Sequence, residues 1–134
     1  MSFFSITVKT NYREEFLNIT ERVKRELAGS GIKEGLCVVY IPHTTAGVTI
    51  NEAADPAVLH DINMELGKIV PLNDGYTHLE GNSAAHLKTL ITGSSVSIPV
   101  EKGHLSLGRW QGIFFCEYDG PRQRTVYIKI IETK

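Results

Sequence analysis

Over the first ten residues apolar side chains fall on every second position. Phe4, Ile6 and Val8 share one face, which predicts a strand over residues 2–10. The spacing then changes. Phe16, Ile19, Val23 and Leu27 recur at helical intervals with charges between them, predicting an amphipathic helix over residues 12–28 that Gly29, Ser30 and Gly31 end. A continuous apolar run at residues 35–41 predicts a strand closed by Pro42, and residues 46–50 predict another.

Asp55 followed by Pro56 is a helix start: the carboxylate accepts backbone N–H bonds and proline suits the first helical position. Val58, Leu59, Ile62, Leu66 and Ile69 then form one stripe, and the pattern breaks at Val70 and Pro71. Asn82 or Ser83 caps a further short helix that runs to Leu90 or Ile91 and stops at Gly93. From Ser94 onward the pattern is that of strands, at residues 96–100, 104–107, 112–118 and 124–131, with turns at Glu101-Lys102-Gly103 and Asp119-Gly120-Pro121. Strands and helices do not alternate regularly. The expectation is a single α+β domain over residues 1–134, with three helices on a mixed, mostly antiparallel sheet.

Composition narrows the function classes. The 134 residues carry 14 Lys+Arg against 15 Asp+Glu, a formal charge of −1. That balance gives no electrostatic footprint for nucleic acid or an anionic membrane. The length excludes a (β/α)8 barrel, which needs about 200 residues or more. The N-terminal residues lack the basic and long apolar regions of a secretory signal, and no apolar run approaches the ~20 residues of a membrane helix. Cys37 and Cys116 lie inside apolar runs, as buried free thiols do. A cytoplasmic protein is the expectation.

Two segments concentrate polar groups that folding alone does not require: residues 42–52 (PHTTAGVTINE) and 76–86 (YTHLEGNSAAH). His43 follows a strand, His78 precedes the second short helix, and His86 sits in its first turn, where the helix dipole favours neutral imidazole. With Glu80 nearby, His43, His78 and His86 make a candidate three-ligand divalent-metal site with an open position. Each also has a plain structural reading as a hydrogen-bonded histidine. Their spacing matches no short metal signature, so convergence would have to be tertiary. His60 faces solvent and His104 has no comparable context.

Other residues carry paired readings. Glu52 and Glu80 are candidate bases or ligands, or loop carboxylates accepting backbone N–H bonds. Asp61 is a boundary salt-bridge residue or a site carboxylate. Asn82 and Ser83 are helix caps, at a helix N-terminus that can also receive a phosphate. Gln111, beside Trp110, is a candidate ligand contact. Glu117 reads as a buried, paired carboxylate on an apolar strand, with Arg122 as its partner or as a phosphate-binding fork. Walker, GxGxxG, GxSxG and Cys-x-x-Cys motifs are all missing from the sequence.

The polar segments resemble a known family. Residues 43–52 (HTTAGVTINE) with Ala54, Asp55 and Pro56, residues 76–87 (YTHLEGNSAAHL) and residues 108–122 (GRWQGIFFCEYDGPR) are similar to three motifs of the YjbQ-like family, in order along nearly the whole chain. The resemblance implies a small α+β domain assembled as a homotrimer, with a weak, secondary thiamine-phosphate synthase activity. It carries the family's site positions onto His43, Glu52, His78, Glu80, Asn82 and His86, and matches Arg122 to the basic residue after the Asp-Gly-Pro turn.

The reading that follows is an enzyme that binds a phosphorylated or anionic small molecule, together with a divalent metal, zinc or magnesium. His43, His78 and His86 would hold the metal. Glu52, Glu80, Asn82 and Arg122 would form the catalytic set, with Lys88 as a further donor toward an anionic leaving group. Two alternatives stand beside it: a metal-dependent hydrolase, and a homotrimeric module that binds a metabolite without turning it over.

Overall fold

The computed structural model describes residues 2–133, in the order β1 (Ser2–Lys9), β2 (Glu15–Asn18), α1 (Thr20–Ser30), β3 (Gly35–Tyr40), β4 (Ala46–Glu52), α2 (Pro56–Ile69), α3 (Ser83–Thr92), β5 (Ser95–Glu101), β6 (His104–Leu105), β7 (Gln111–Glu117) and β8 (Gln123–Glu132). The strands form two sheets, β1-β8-β3-β5-β6 and β2-β7-β4, and among the described residues every ladder is antiparallel. With three helices this is an α+β fold, as the sequence pattern predicts. No helix among the described residues is long and apolar enough to cross a membrane.

The main core lies between the sheets. β8 alternates strictly: Val126, Ile128 and Ile130 are fully buried while the residues between them are partly exposed. They pack with Val39 of β3, Ile98 of β5, Val48 of β4 and Ile113 and Phe115 of β7, and with Val23 and Leu27 of α1. Burying a side chain the size of Phe115 contributes about 1.5–3 kcal/mol. Both faces of β7 are covered, one by the main core and the other by α2 and α3. Ile113, Phe115 and Glu117 face the main core; Phe114, Cys116 and Tyr118 join a second cluster with Ala85 of α3 and Leu59 and Leu66 of α2. This explains the unbroken apolar run in the sequence.

The helix predicted over residues 12–28 is replaced in its first half by a strand. Phe16 and Leu17 lie in β2, paired with Cys116 and Phe115 of β7. The edge of β7 supplies ladder bonds that a helix there would forgo, so tertiary pairing overrides the local periodicity. Helix α1 then starts at Thr20, whose N–H bonds to Asn18 Oδ1 at 3.0 Å. It ends at Gly31, which takes the left-handed conformation (φ 71°) and returns its N–H to Ala28 O. For α2 the start matches expectation: Asp55 Oδ1 accepts the Ala57 N–H at 3.0 Å, with Pro56 next in sequence. β6 ends two residues short of the predicted strand: the Ser106 N–H still bonds to Pro99 O in register, but Pro99 has no N–H to return and the ladder stops there.

Candidate functional site

The sheets' regular alternation places two charged residues inside the core boundary. Glu117 follows Ile113 and Phe115 on the inward face of β7, and Arg124 precedes Val126 on the inward face of β8. Glu117 is 0% exposed and Arg124 4%. Burying such ions is costly unless every lone pair and proton is met, and here Glu117 is fully met. Its Oε1 accepts from Thr10 Oγ1 at 2.7 Å and Arg124 Nε at 2.9 Å; its Oε2 accepts from the Asp119 N–H at 3.0 Å and from Arg124 Nη2. Burial alone would raise the Glu117 pKa, but bonds from Arg124, the Asp119 N–H and Thr10 outweigh it and hold the carboxyl below its usual value. Arg124 Nη2 also donates to Thr45 Oγ1 at 2.9 Å.

The turn after β7 is fastened onto this pair. The Arg122 N–H bonds to Thr10 Oγ1 at 2.8 Å, and the Thr10 N–H to Arg122 O at 2.9 Å. Gly120 is required there, since a Cβ would stand 2.3 Å from Tyr12 O and 2.9 Å from Glu117 Cγ. Arg122 is thereby held at the surface, its Nε donating to Asp119 O at 2.7 Å and its Nη2 to Asp119 Oδ2 at 2.9 Å. So the expected Glu117–Arg122 pairing is not made: Glu117 pairs with Arg124, and Arg122 with Asp119.

Above the pair opens a polar cleft of about 340 Å3, walled by residues 42–45, Glu80, Asn82, His86, Arg122 and Arg124. His43 enters it from the end of β3. Its Nε2 accepts the Thr125 N–H at 2.9 Å, so in the neutral ring Nδ1 carries the proton and is a donor. Burial, reinforced by the Arg124 charge, lowers the His43 pKa and keeps the ring neutral. Asn82 takes the N-cap position of α3 without capping it. Its Nδ2 instead donates to Asp119 Oδ2 at 2.9 Å and to Glu80 Oε2 at 3.2 Å, and its Oδ1 is buried with no partner among the described residues. His86 lines both this cleft and a neighbouring open groove of about 600 Å3 that contains Tyr76, His78 and Ser83. The His78 and His86 rings stand edge to face, 5.6 Å apart, and His78 Nε2 lies 3.9 Å from Glu80 Oε1.

The predicted site residues are thus divided. His43, Glu80, Asn82, His86 and Arg122 come together, and His78 stands alongside. Glu52 does not join them. It ends β4 opposite Gln111, while the cleft adjoins the Ala46 end opposite Glu117, roughly 20 Å away along the strand; its carboxylate accepts the Ala54 N–H. Lys88 is buried on the far side of Asn82 in an ion pair with Glu14. Asp61 and His60 are exposed neighbours on α2, and Gln111 Oε1 accepts the Gly108 N–H. Arg124 and Thr45 are cleft residues that the sequence reading passed over; inward alternation along β8 is the signal that marks Arg124.

These donors do not fit a three-histidine metal centre within one chain. The His43 Nε2 lone pair is committed to Thr125, and among the described residues no three His, Cys, Asp or Glu groups are placed to hold a metal. Both cysteines are free and buried, as expected; burial pushes the Cys37 thiol up to about 11 and the Cys116 thiol to about 12.

Comparison with known proteins agrees with this fold. Residues 4–133 match the family model described as UPF0047 protein YjbQ-like. The UPF0047 protein MJ1081 of Methanocaldococcus jannaschii is 51% identical over 131 residues, 98% of this chain and 95% of that one. YugU of Bacillus subtilis is 47% identical, over 95% of this chain and 97% of its own. Among solved structures, a hypothetical protein of Aeropyrum pernix superposes with a TM-score of 0.95 at 42% identity, covering 99% of this chain and 100% of that one. An uncharacterised protein of Clostridium acetobutylicum gives 0.94 at 50% identity, with 96% and 99% covered. The chain belongs to the UPF0047 YjbQ-like family.

Proposed function

We propose that the cleft binds a phosphorylated small molecule and that the chain is an enzyme acting on it. One observation carries this reading: three separate stretches of sequence deliver His43, Asn82, and Arg122 with Arg124 to the wall of a single polar cleft. The His43 ring offers an N–H donor, and each guanidinium, fixed by bonds from its Nε and Nη2 to neighbouring groups, keeps Nη1 for a phosphate oxygen. His86 is the acid–base candidate, since it lines the cleft and its neutral form both gives and accepts a proton. Glu80 and His78 flank it and are placed to orient it or to exchange protons with solvent.

Thiamine-phosphate synthesis, which the family resemblance implies, is carried as the candidate reaction. It joins a pyrimidine-methyl diphosphate to a thiazole phosphate and expels pyrophosphate, a leaving group that the arginine edge of the cleft suits. Homotrimeric assembly and a cytoplasmic location belong to the same proposal. In favour of assembly, α2 has no buried residue, and Met64, Ile69, Leu90 and Ile91 are exposed apolar side chains on α2 and α3.

The test is turnover of a panel of phosphorylated substrates, the thiamine precursors among them, by wild type and by Arg122→Ala and His86→Ala. Loss of about 100-fold or more in kcat/KM in both variants, with unchanged folding, supports the reading. Binding without turnover across the panel would instead make the chain a metabolite-binding module. Metal analysis of protein purified without chelator tests the divalent-ion expectation, with loss of bound metal in a His78→Ala, His86→Ala double variant as the supporting result.

A further inference from the structure

Of the guanidinium nitrogens in the cleft, those of Arg124 are the most constrained. The side chain is only 5% exposed. Glu117 takes Nε and Nη2, and Thr45 shares Nη2. Among the described residues Nη1 has no hydrogen-bond partner, and Arg124 forms part of the cleft wall. Thr45 O also accepts from Nη2, at 3.3 Å, while Nη1 is not among the buried polar atoms that lack a partner, so its N–H face is open to the cleft and within reach of a ligand oxygen.

We propose that Arg124 is the residue that reads the ligand's oxyanion, through Nη1, and that Glu117 is its positioning partner. This deepens the reading of the cleft as a phosphate site and rests on it. The two bonds to Glu117 fix both the plane and the rotation of the guanidinium. The free N–H face is thereby held ready before the ligand arrives, and little side-chain freedom is lost on binding. Glu117 also cancels the Arg124 charge, so the interaction is set by N–H geometry rather than by long-range attraction. Arg122 differs: its side chain is 49% exposed and anchored only within its own turn. It supplies charge at the rim, while Arg124 supplies alignment at the floor.

Inorganic pyrophosphate is the probe, titrated calorimetrically into wild type, Arg122→Gln, Arg124→Lys and the charge-neutral double variant Glu117→Gln, Arg124→Met. The double variant leaves no buried charge unpaired, so it tests the proposal even where a single variant fails to fold. Arg124→Lys is expected to bind at least about tenfold more weakly than wild type, and the folded double variant to be weaker still. The 15N signals of the Arg124 Nη groups in wild type should be resolved and should move on adding pyrophosphate. In Glu117→Gln they should collapse to an average while the backbone spectrum is retained; the movement on adding pyrophosphate is the response that a merely structural ion pair would not give. Binding within twofold of wild type in the folded double variant, with loss in Arg122→Gln, would overturn the role of Arg124 and leave the phosphate reading standing. Wild type that binds no pyrophosphate would overturn both.

Discussion

Replacing Glu117 by Gln keeps the shape of the side chain but removes the charge behind the Arg124 guanidinium. The structure sets the size of the effect. Glu117 is fully buried, accepts four hydrogen bonds and faces a side chain that is itself 5% exposed, so solvent cannot take over its role. Stranding one member of such a pair costs about 3–5 kcal/mol. Unfolding entropy for a chain of this length is roughly 0.28 kcal/mol/K near the midpoint, so Tm should fall by about 10–18 °C. Arg124→Met should cost a similar amount at neutral pH. The double variant, with no unpaired charge, should return to within about 2 kcal/mol of wild type. Urea unfolding followed by far-UV circular dichroism at pH 7.5 closes the cycle. The pH dependence adds a sign test. In wild type the Glu117 pKa lies below its unfolded value, so its contribution is present above pH ~4.5 and is lost as the pH falls through the folded value. In Arg124→Met the stranded carboxylate is relieved by protonation, so acidification should narrow the gap to wild type. Single-variant losses that simply add in the double variant would show that Glu117 and Arg124 are not coupled.

Three further outcomes follow from the packing. Cys37 and Cys116, with thiols raised to about 11 and about 12 by burial, should resist a disulfide reagent at pH 8 in the native state and both react in urea. At Gly35 a Cβ would stand 2.0 Å from the Ile131 carbonyl oxygen of β8, whereas at Gly29 in α1 it would meet nothing within 4 Å. Gly35→Ala should therefore lose at least about 1–3 kcal/mol in chemical unfolding, and Gly29→Ala should be neutral or gain roughly 0.5–1 kcal/mol. Asp55→Ala removes the side-chain bond to the Ala57 N–H and should lower stability by about 1 kcal/mol, read as a shift in urea midpoint at constant slope.

Local signals carried most of the architecture. Alternation located β1 and β8, the Asp-Pro pair located the start of α2, and turn residues separated the last strands. Residues 12–19 misled for a physical reason: Phe16 and Ile19 fit a helical stripe by spacing, but the β7 edge needed a partner, and that edge is remote in sequence. The cleft was legible by residue type and only partly by place. His43, Glu80, Asn82, His86 and Arg122 stand at element ends, where polar residues without a folding role are conspicuous. Glu52 shares a motif with His43, yet β4 carries it to the opposite end of the sheet. Arg124 was hidden because a charged residue opening an apolar strand reads as a solvent-facing end. Its phase with Val126, Ile128 and Ile130 marks it as inward, and the facing of β7 and β8 from opposite sheets sets it against Glu117.

His43, Arg122 and Arg124 together make the oxyanion site, and a crystal structure of the wild-type protein with pyrophosphate bound is its sharpest test. A phosphate group is expected in the cleft, within hydrogen-bond distance of Arg124 Nη1 and the His43 Nδ1–H, with Arg122 at its rim. Pyrophosphate bound elsewhere while this cleft holds only water would contradict it.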